Sequence, residues 1–508
     1  MNIDDIKLSI LNEFGFTPTN DQENALQVFS DFLLDRSNHA VMILRGSAGT
    51  GKTCLAGAIV RTMKSIGQRI VLLAPTGRAA KVLSLNSGSA ANTIHRRIYR
   101  EREYTGIGGT FNLNDNLHRD TLFIVDEASM INNSLSENPS GGFSAFGSGR
   151  LLYDLISFVY SGTNDRMLLI GDKAQLPPIG EDESPALNGD MLSSFGLHVY
   201  ECDLDEVLRQ GNSSGILYNA TVVRNMITHD DVTQLPKIRF HCFADIISVR
   251  GDELIESLAS SYSDVGMDET IVITRSNKRA NIYNQGIRNT VLDREDRLCR
   301  GDMVMIVKNN YHYSISSSDS LSSQTTDATS DNPMSVVRKS TSGLSRFIAN
   351  GDRAEVERVR NIRSLYGFSF ADVLLQFPDY DNYELEATVI LDTLTSNSPS
   401  LTMEQQEELY KNVMEDYQDV ALKQDRMKEL RQNDCFNALQ IKFAYAVTCH
   451  KAQGGQWPHV YVDQGYMTDD MLSPDYIHWL YTAFTRATDK LFLVNWPSSQ
   501  TEDGEDEN

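Results

Sequence analysis

From the N-terminus to about residue 195, short β-branched runs alternate with stretches of helical periodicity. That is the pattern of a parallel sheet in an α/β domain. Four runs are predicted as buried strands: Ala40–Leu44, Arg69–Leu73, Thr121–Val125 and Met167–Ile170. The pattern breaks at 131–150, where the Asn-, Ser- and Gly-rich stretch NNSLSENPSGGFSAFGSG predicts a long mobile loop. Residues 314–345 are rich in Ser, Thr and Asp and read as a flexible segment with too little apolar surface to pack. Between 348 and 395 the texture becomes β-rich, with ANGDRAEVERV, FADVLLQF and ELEATVILDTL as strand candidates. Glu404–Gln432 reads as charged helix, and after Ala438 the α/β texture returns in Gln440–Val447, His459–Val462 and Lys490–Val494. This order predicts a second α/β domain split by an inserted β module.

Length and composition narrow the class. A chain of 508 residues suggests three or four compact units. An apolar fraction of 41% beside 23% charged residues is that of a soluble globular protein. No run approaches the roughly 18 apolar residues that span a bilayer, and the N-terminus lacks the basic-then-apolar layout of a secretory signal. Six scattered cysteines without a C-x-x-C pair argue against a zinc site or a disulfide framework, and for a reducing, cytoplasmic setting. The net charge of −23 runs against a nucleic-acid binder, which is expected to be basic at least locally. Part of the excess sits in the tail at Glu502, Asp503, Glu505, Asp506 and Glu507, and an acidic whole can still carry a basic groove.

Residues 46–53 read GSAGTGKT, a complete G-x-x-x-x-G-K-[ST] loop after one strand and before a helical run. Gly46, Gly49 and Gly51 let backbone N–H groups, those of Ala48 and Thr50 among them, approach phosphates. Lys52 reaches the β and γ oxygens, and Thr53 offers a hydroxyl to Mg²⁺. About seventy residues on, the run Leu122–Val125 ends in Asp126 and Glu127. An acid pair there suits ATP hydrolysis, with Asp126 holding the metal and Glu127 orienting or deprotonating the attacking water. Near the N-terminus, Gln22 carries both donor and acceptor and so can read an adenine edge; it can equally belong to an ordinary helix start capped by Thr19 or Asn20.

Further blocks follow in order: APTGRAAKVL (Ala74–Leu83), TIHRRIY (Thr93–Tyr99), VDEAS (Val125–Ser129), IGDKAQLPPIG (Ile170–Gly180), DEVLRQ (Asp205–Gln210), AYAVTCHKAQGGQW (Ala444–Trp457) and YTAFTRA (Tyr481–Ala487). With the P-loop, this series resembles the superfamily 1 helicases of the RecD-like and Dda-like branch, and it spans residues 17 to 487. The resemblance implies an α/β fold of two RecA-like P-loop motor domains, with a small pin insertion in the first and an SH3-like β insertion in the second. The implied boundaries are 1–195 for the first motor domain, with the pin at about 97–119, and 196–310 for the first part of the second. A flexible segment at 311–347, the SH3-like module and helix at 348–437, the rest of the second motor domain at 438–498 and an acidic tail at 499–508 complete the chain.

The same resemblance implies roles. Gln175 is similar to a γ-phosphate sensor, and Arg209 and Arg486 to arginine fingers reaching ATP from the second domain. Pro75, Thr76, Arg78, Thr93 and His95 look like single-strand contacts from the first domain, with Thr448 and His450 as counterparts on the second. Gly454 belongs to the late block at the nucleotide. There Gln456 stands where many relatives have a glutamate for the ribose, and Lys173 stands where a proline is common. Taken singly, Arg209 could be a surface ion pair and His450 a core histidine. The pin is expected between Thr93 and Asp120, with Gly106, Gly108 and Gly109 at a hairpin turn flanked by Tyr104 and Phe111. The basic run Arg96, Arg97, Arg100 and Arg102 either tracks phosphates or is a solvated helix face. The implied protein is a monomeric DNA helicase using ATP and Mg²⁺ on single-stranded and tailed duplex DNA, moving 5′-to-3′, with no membrane partner. Its rivals are an RNA helicase, a protein-stripping translocase, and an ATP-gated binding module that separates no strands.

Overall fold

The computed structural model describes residues 3–35, 37, 39–104, 109–135, 145–206, 214–229, 233–315, 346–380 and 382–502. Most of the expected flexible segment, the heart of the 131–150 loop and the acidic tail from 503 onward lie outside the described residues.

The first motor domain is built on a six-stranded parallel sheet in the order Ala91–Thr93, Arg69–Ala74, Thr121–Val125, Arg166–Gly171, Ala40–Gly46, His198–Leu204. Its central strands are apolar throughout because helices cover both faces. In the strand Ala40–Gly46, side chains alternate between two separate cores: Ala40, Met42 and Leu44 face one, Val41 and Ile43 the other. The sheet runs past the expected boundary at 195, since His198–Leu204 pairs along the whole of Ala40–Gly46 as the edge strand.

The pin region is an antiparallel hairpin, Tyr99–Tyr104 with Gly109–Leu113, joined in parallel by Ala145–Phe146. The turn with Gly106 and Gly108, and the side chains of Arg102 and Tyr104, lie outside what is described. Phe111 is buried, so it anchors the hairpin's base. The described side chains of the basic run each meet a protein partner. Arg96 is buried against Asp352 at 3.5 Å, Arg97 meets His118, and exposed Arg100 pairs with Asp115 at 3.0 Å.

The second motor domain carries a five-stranded parallel sheet in the order Ile246–Val249, Ala487–Val494, Trp457–Asp463, Thr270–Thr274, Ala446–Thr448. Between its parts sits a closed SH3-like barrel of Met303–Ile306, Arg353–Leu365, Phe368–Phe377, Tyr383–Ile390 and Leu439–Phe443. The long hairpin within it turns on Tyr366 and Gly367, both left-handed at φ 55° and 84°, the conformation that a two-residue turn between twisted strands requires. The insertion is therefore wider than 348–437. The predicted strand Gln440–Val447 is two elements, one closing the barrel and one forming the sheet edge, because the chain leaves the barrel at Ala444 and Tyr445. The predicted charged helix is likewise two, Met403–Glu415 and Lys423–Gln432, whose apolar sides cover Phe368, Phe370 and Ile390 of the barrel. Among the described residues no helix is long and apolar enough to cross a membrane.

Where the barrel leaves the sheet, Asp302 is fully buried and accepts from Arg288 Nη2 at 3.0 Å, Arg294 Nη1 at 2.9 Å, Cys299 N at 2.7 Å and Tyr445 OH at 2.9 Å. One carboxylate thus ties the strand entering the barrel to the segment leaving it. Asp302→Ala strands a buried arginine and should lower the unfolding free energy by about 3–5 kcal/mol in a denaturant titration. A parental midpoint would refute that role.

Candidate nucleotide cleft and strand face

The strand Ala40–Gly46 delivers the P-loop to the carboxyl end of its sheet, and the helix Lys52–Ser65 leaves from it. Gly49 and Gly51 are left-handed at φ 84° and 83°. A Cβ on Gly46 would stand 2.8 Å from Thr50 Oγ1 and 2.9 Å from Leu204 Cβ, so only glycine fits. Lys52 Nζ donates to Gly46 O and, at 2.8 Å, to Ser47 O. The buried Thr50 donates its hydroxyl to Ser47 O at 2.9 Å.

Gln22 is held at both ends of its amide by protein groups. It is 0% exposed, its Oε1 accepts from Thr19 N at 3.1 Å in a capping box, and its Nε2 donates to Thr50 O at 2.9 Å. It braces the P-loop, while Phe14, Phe16 and Thr17 line the cleft instead.

Asp126 and Glu127 follow the strand Thr121–Val125 and both line the cleft with Lys52 and Thr53. Glu127 is left-handed at φ 52°, which costs a non-glycine residue roughly 1–2 kcal/mol. Burial, and then the neighbouring Glu127 charge, push the Asp126 carboxyl up to about 7, with Lys52 opposing. A hydroxyl and a carboxylate pair in want of positive charge form an oxygen donor set that fits Mg²⁺, an ion usually held by one or two carboxylates plus substrate phosphates.

The cleft measures about 660 Å³, and its far wall is the second motor domain: Ser214, Ile216, Leu217, Ala220, Asp245, Gly454, Gln456 and Thr485–Thr488. Gln175 lines it, with its buried Oε1 accepting from no group among the described residues. Arg486 lines it too, 3% exposed, its guanidinium donating to Thr482 O at 3.1 Å, Gly455 O at 3.1 Å and Thr485 Oγ1 at 3.3 Å. Arg209 lies outside the described residues. Gly454 is left-handed at φ 73°, and a Cβ there would press on Ala79 Cβ and Thr76 Oγ1, both at 3.0 Å.

Two cross-cleft residues went unread in the sequence. Tyr481 OH accepts from Ala48 N at 2.9 Å and donates to Asp172 Oδ2 at 2.7 Å; Arg224 Nη1 donates to Ser47 Oγ at 2.8 Å. Tyr481 sits inside the YTAFTRA block, so its position could have been flagged. Arg224 lies in a helix without any motif, and nothing local marks it.

The expected strand contacts gather at the carboxyl ends of the sheets. Thr76 and Thr93 cap the helices Gly77–Ser87 and Ile94–Ile98 through Ala79 N and Arg96 N, and Thr448 holds the N-cap position of Cys449–Ala452. Helix N-termini of this kind favour phosphate oxygens. Pro75 is half-buried beside Thr76, and His450 is exposed. Three positions are more enclosed than the sequence suggests. Thr93 is buried, Arg78 donates to Gln456 O at 2.7 Å while stacking over Trp457 at 4.4 Å, and burial pulls His95 down to about 4. The barrel also abuts this face: Tyr380 OH donates to Asp352 Oδ1 at 2.7 Å, and Asp379 stands 3.8 Å from Lys81.

Two sheets that meet at a P-loop, with an acid pair on one wall and a buried arginine on the other, define a P-loop ATPase of two motor domains. The AAA domain family matches residues 19–138, and the UvrD-like helicase C-terminal domain family matches 443–494. An uncharacterized protein of Acanthamoeba polyphaga mimivirus is 22% identical, covering 91% of this chain and 97% of that one. The ATP-dependent RecD2 DNA helicase of Deinococcus radiodurans is 33% identical over 143 residues, 28% of this chain and 17% of its own length. The ATP-dependent DNA helicase dda of Enterobacteria phage T4 is 26% identical, covering 57% of this chain and 60% of its own. Neither helicase is matched over two thirds of its length. A crystal structure of Pif1 helicase from Bacteroides with ADP-AlF3 and ssDNA superposes over 95% of this chain and 93% of its own, with 14% identity and a TM-score of 0.45. Over these stretches the chain is similar to the AAA domain and UvrD-like helicase C-terminal families and to the RecD2 and dda helicases.

A histidine held well below its usual 6.5 lets the unfolded chain bind the extra proton. Its contribution to stability is therefore complete above about 6.5 and lost as pH falls toward about 4. His95→Gln should flatten the pH dependence of unfolding across that window relative to the parent. Parallel profiles for the two proteins would show that the imidazole is not buried in its neutral form.

Proposed function

We propose that this protein is a helicase that hydrolyses ATP with Mg²⁺ in the inter-domain cleft and converts closure of that cleft into 5′-to-3′ movement on single-stranded DNA, opening the duplex ahead. The observation that carries this reading is the cleft of about 660 Å³ whose phosphate loop belongs to one motor domain and whose buried Arg486 belongs to the other. A cation arriving across a cleft makes closure depend on the terminal phosphate.

In this reading Thr53 and Asp126 hold the Mg²⁺, which screens the phosphate charge when bound. The P-loop backbone from Gly46 to Gly51 and Lys52 cradle the phosphates, and Glu127 takes a proton from the attacking water. Gln175 and Arg486 face the terminal phosphate from opposite walls, with Arg209 expected to join them. Phe14 and Phe16 offer the base an apolar surface. Thr76, Pro75 and Thr93 on the first domain and Thr448 and His450 on the second grip the strand, so that cleft closure moves one grip toward the other. A base-pair step resists by only roughly 0.6–2.2 kcal/mol, a modest load for one hydrolysis event. The same reading has the protein working as a monomer in the cytoplasm, with single-stranded and forked DNA as partners.

Strand displacement on duplexes tailed at either end, in DNA and in RNA, tests this directly. Unwinding only of the 5′-tailed DNA substrate is expected, and preference for a 3′ tail or for RNA would overturn the polarity or the substrate. Lys52→Ala should abolish turnover while the protein still binds single strands, whereas Glu127→Gln should bind ATP tightly and turn over slowly. Hydrolysis by Lys52→Ala near the parental rate would sink the assignment of the site.

Arg486→Lys keeps the charge but loses the planar fork. It should leave ATP affinity within several-fold and cut DNA-stimulated turnover by on the order of 10³. Unwinding at parental speed by this variant would mean that closure is not coupled to ATP through Arg486.

A further inference from the structure

The helix Gly215–Thr228 is an unusually constrained wall of the cleft. Its first turn is tied to Asp245, which accepts from Ser214 Oγ at 2.6 Å and from Gly215 N at 2.7 Å. A Cβ on Gly215 would lie 2.5 Å from Ile246 and 2.7 Å from Phe243, so the helix packs there at a distance only glycine allows. Ile216, Leu217 and Ala220 line the cleft, and Arg224 stands one turn beyond Ala220 on the same face. Its guanidinium reaches back over the P-loop to Ser47 Oγ at 2.8 Å.

Lys52 Nζ, from the first domain, donates to the backbone oxygen of that same Ser47 at 2.8 Å. Two cations from two domains therefore converge on one neutral residue of the phosphate loop, and Arg224 pairs with no carboxylate among the described residues. Two cations directed at one residue repel unless an anion stands between them. No ion pair joins Arg224 to the cleft carboxylates Asp126 and Glu127 among the described residues, and Tyr481, another cross-cleft contact, is a phenol that already donates to Asp172.

We propose that Arg224 is a further catalytic arginine that contacts the terminal phosphate of ATP and makes the cleft tell a nucleoside triphosphate from a diphosphate. The inference rests on the ATP-hydrolysing reading of the cleft. Ser47 Oγ holds the guanidinium at the height of the phosphates, and the rigid Asp245-anchored helix carries the contact into the second motor domain. A planar fork suits a tetrahedral phosphoryl group, and the charge counts most as the γ-phosphoryl leaves.

The test compares the parent with Arg224→Gln and Arg224→Lys, using equilibrium titration with ADP and with a non-hydrolysable ATP analogue, both with Mg²⁺, followed by DNA-stimulated turnover. Glutamine carries no charge and is too short to reach Ser47 Oγ. Ser47→Ala, which removes the same hydrogen bond but keeps the charge, is therefore compared beside it: a merely structural latch would lose the preference in both. The expected result is that Arg224→Gln loses about tenfold or more of the triphosphate-over-diphosphate preference while ADP affinity stays within about twofold. Turnover should fall in parallel, with Arg224→Lys intermediate in both readings. If Arg224→Gln keeps the parental preference and turnover while the parent binds both nucleotides, or if Ser47→Ala loses the preference as well, the proposal is overturned alone. A parent that binds neither nucleotide overturns the reading of the cleft and this proposal with it. Should Arg224→Gln fail to fold, Arg224→Lys decides: parental preference and turnover in that variant also overturn the proposal.

Discussion

The two motor domains meet through buried polar contacts, and everything functional in the molecule depends on that join. The Tyr481 hydroxyl links Ala48 of the P-loop to Asp172, while Thr482 and Gln453 receive and donate at the backbone of Leu176. Hydrogen bonds shielded from water are costly to leave unmade, so the domains cannot drift apart by small steps. A join of that kind favours discrete open and closed arrangements over continuous flexing. The same residues hold the P-loop and the segment around Gln175, so anything that changes at the phosphates is felt at the join.

The SH3-like barrel complicates the simple picture of two motors. It is an insertion into the second domain, yet Asp352 and Tyr380 rest on Arg96 and on the helix that begins at Gly77 in the first. There is no room at Gly77 for a side chain, since a Cβ would stand 2.4 Å from Asp352 Oδ1 and 2.5 Å from Tyr380 OH. Thr76 and Gly454 are packed together on the neighbouring side of that helix. The face expected to hold a strand is therefore bounded by three pieces of chain from two domains. Local basic groups such as Arg96 and Lys81 are engaged by carboxylates there, which is how a chain of net charge −23 keeps positive groups at a defined place.

Much of this was legible in the residues. GSAGTGKT after an apolar run, the Asp126–Glu127 pair and the alternation of strands and helices determined the first α/β domain and its phosphate loop, because each depends on local backbone chemistry. The glycines admit the left-handed turn, the buried strands demand apolar runs, and the acid pair needs only a strand end to stand on. The β-rich texture after residue 348 likewise announced an inserted module. What could not be read locally was where one element stops serving one body and starts serving another. Gln440–Val447 reads as one strand, but Ala444 and Tyr445 divide it between barrel and sheet, at a point where Tyr445 donates to Asp302 far away in sequence.

Roles that depend on distance in space were decided only by the tertiary structure. Gln22 has the chemistry to read a base, but the packing of its helix against the P-loop commits both ends of its amide to protein groups. The basic run beginning at Arg96 suggested phosphate contacts, and its partners Asp352, His118 and Asp115 emerge only when the barrel and the hairpin are in place. Arg224 lies in an ordinary amphipathic helix, and no pattern around it points to the P-loop 177 positions earlier. By itself the sequence determined the turns, strands and phosphate loop, since these follow from backbone conformation and burial over a few residues. The long-range fold decided which charges meet, because Coulomb and hydrogen-bond partners are fixed by ångströms and not by spacing along the chain.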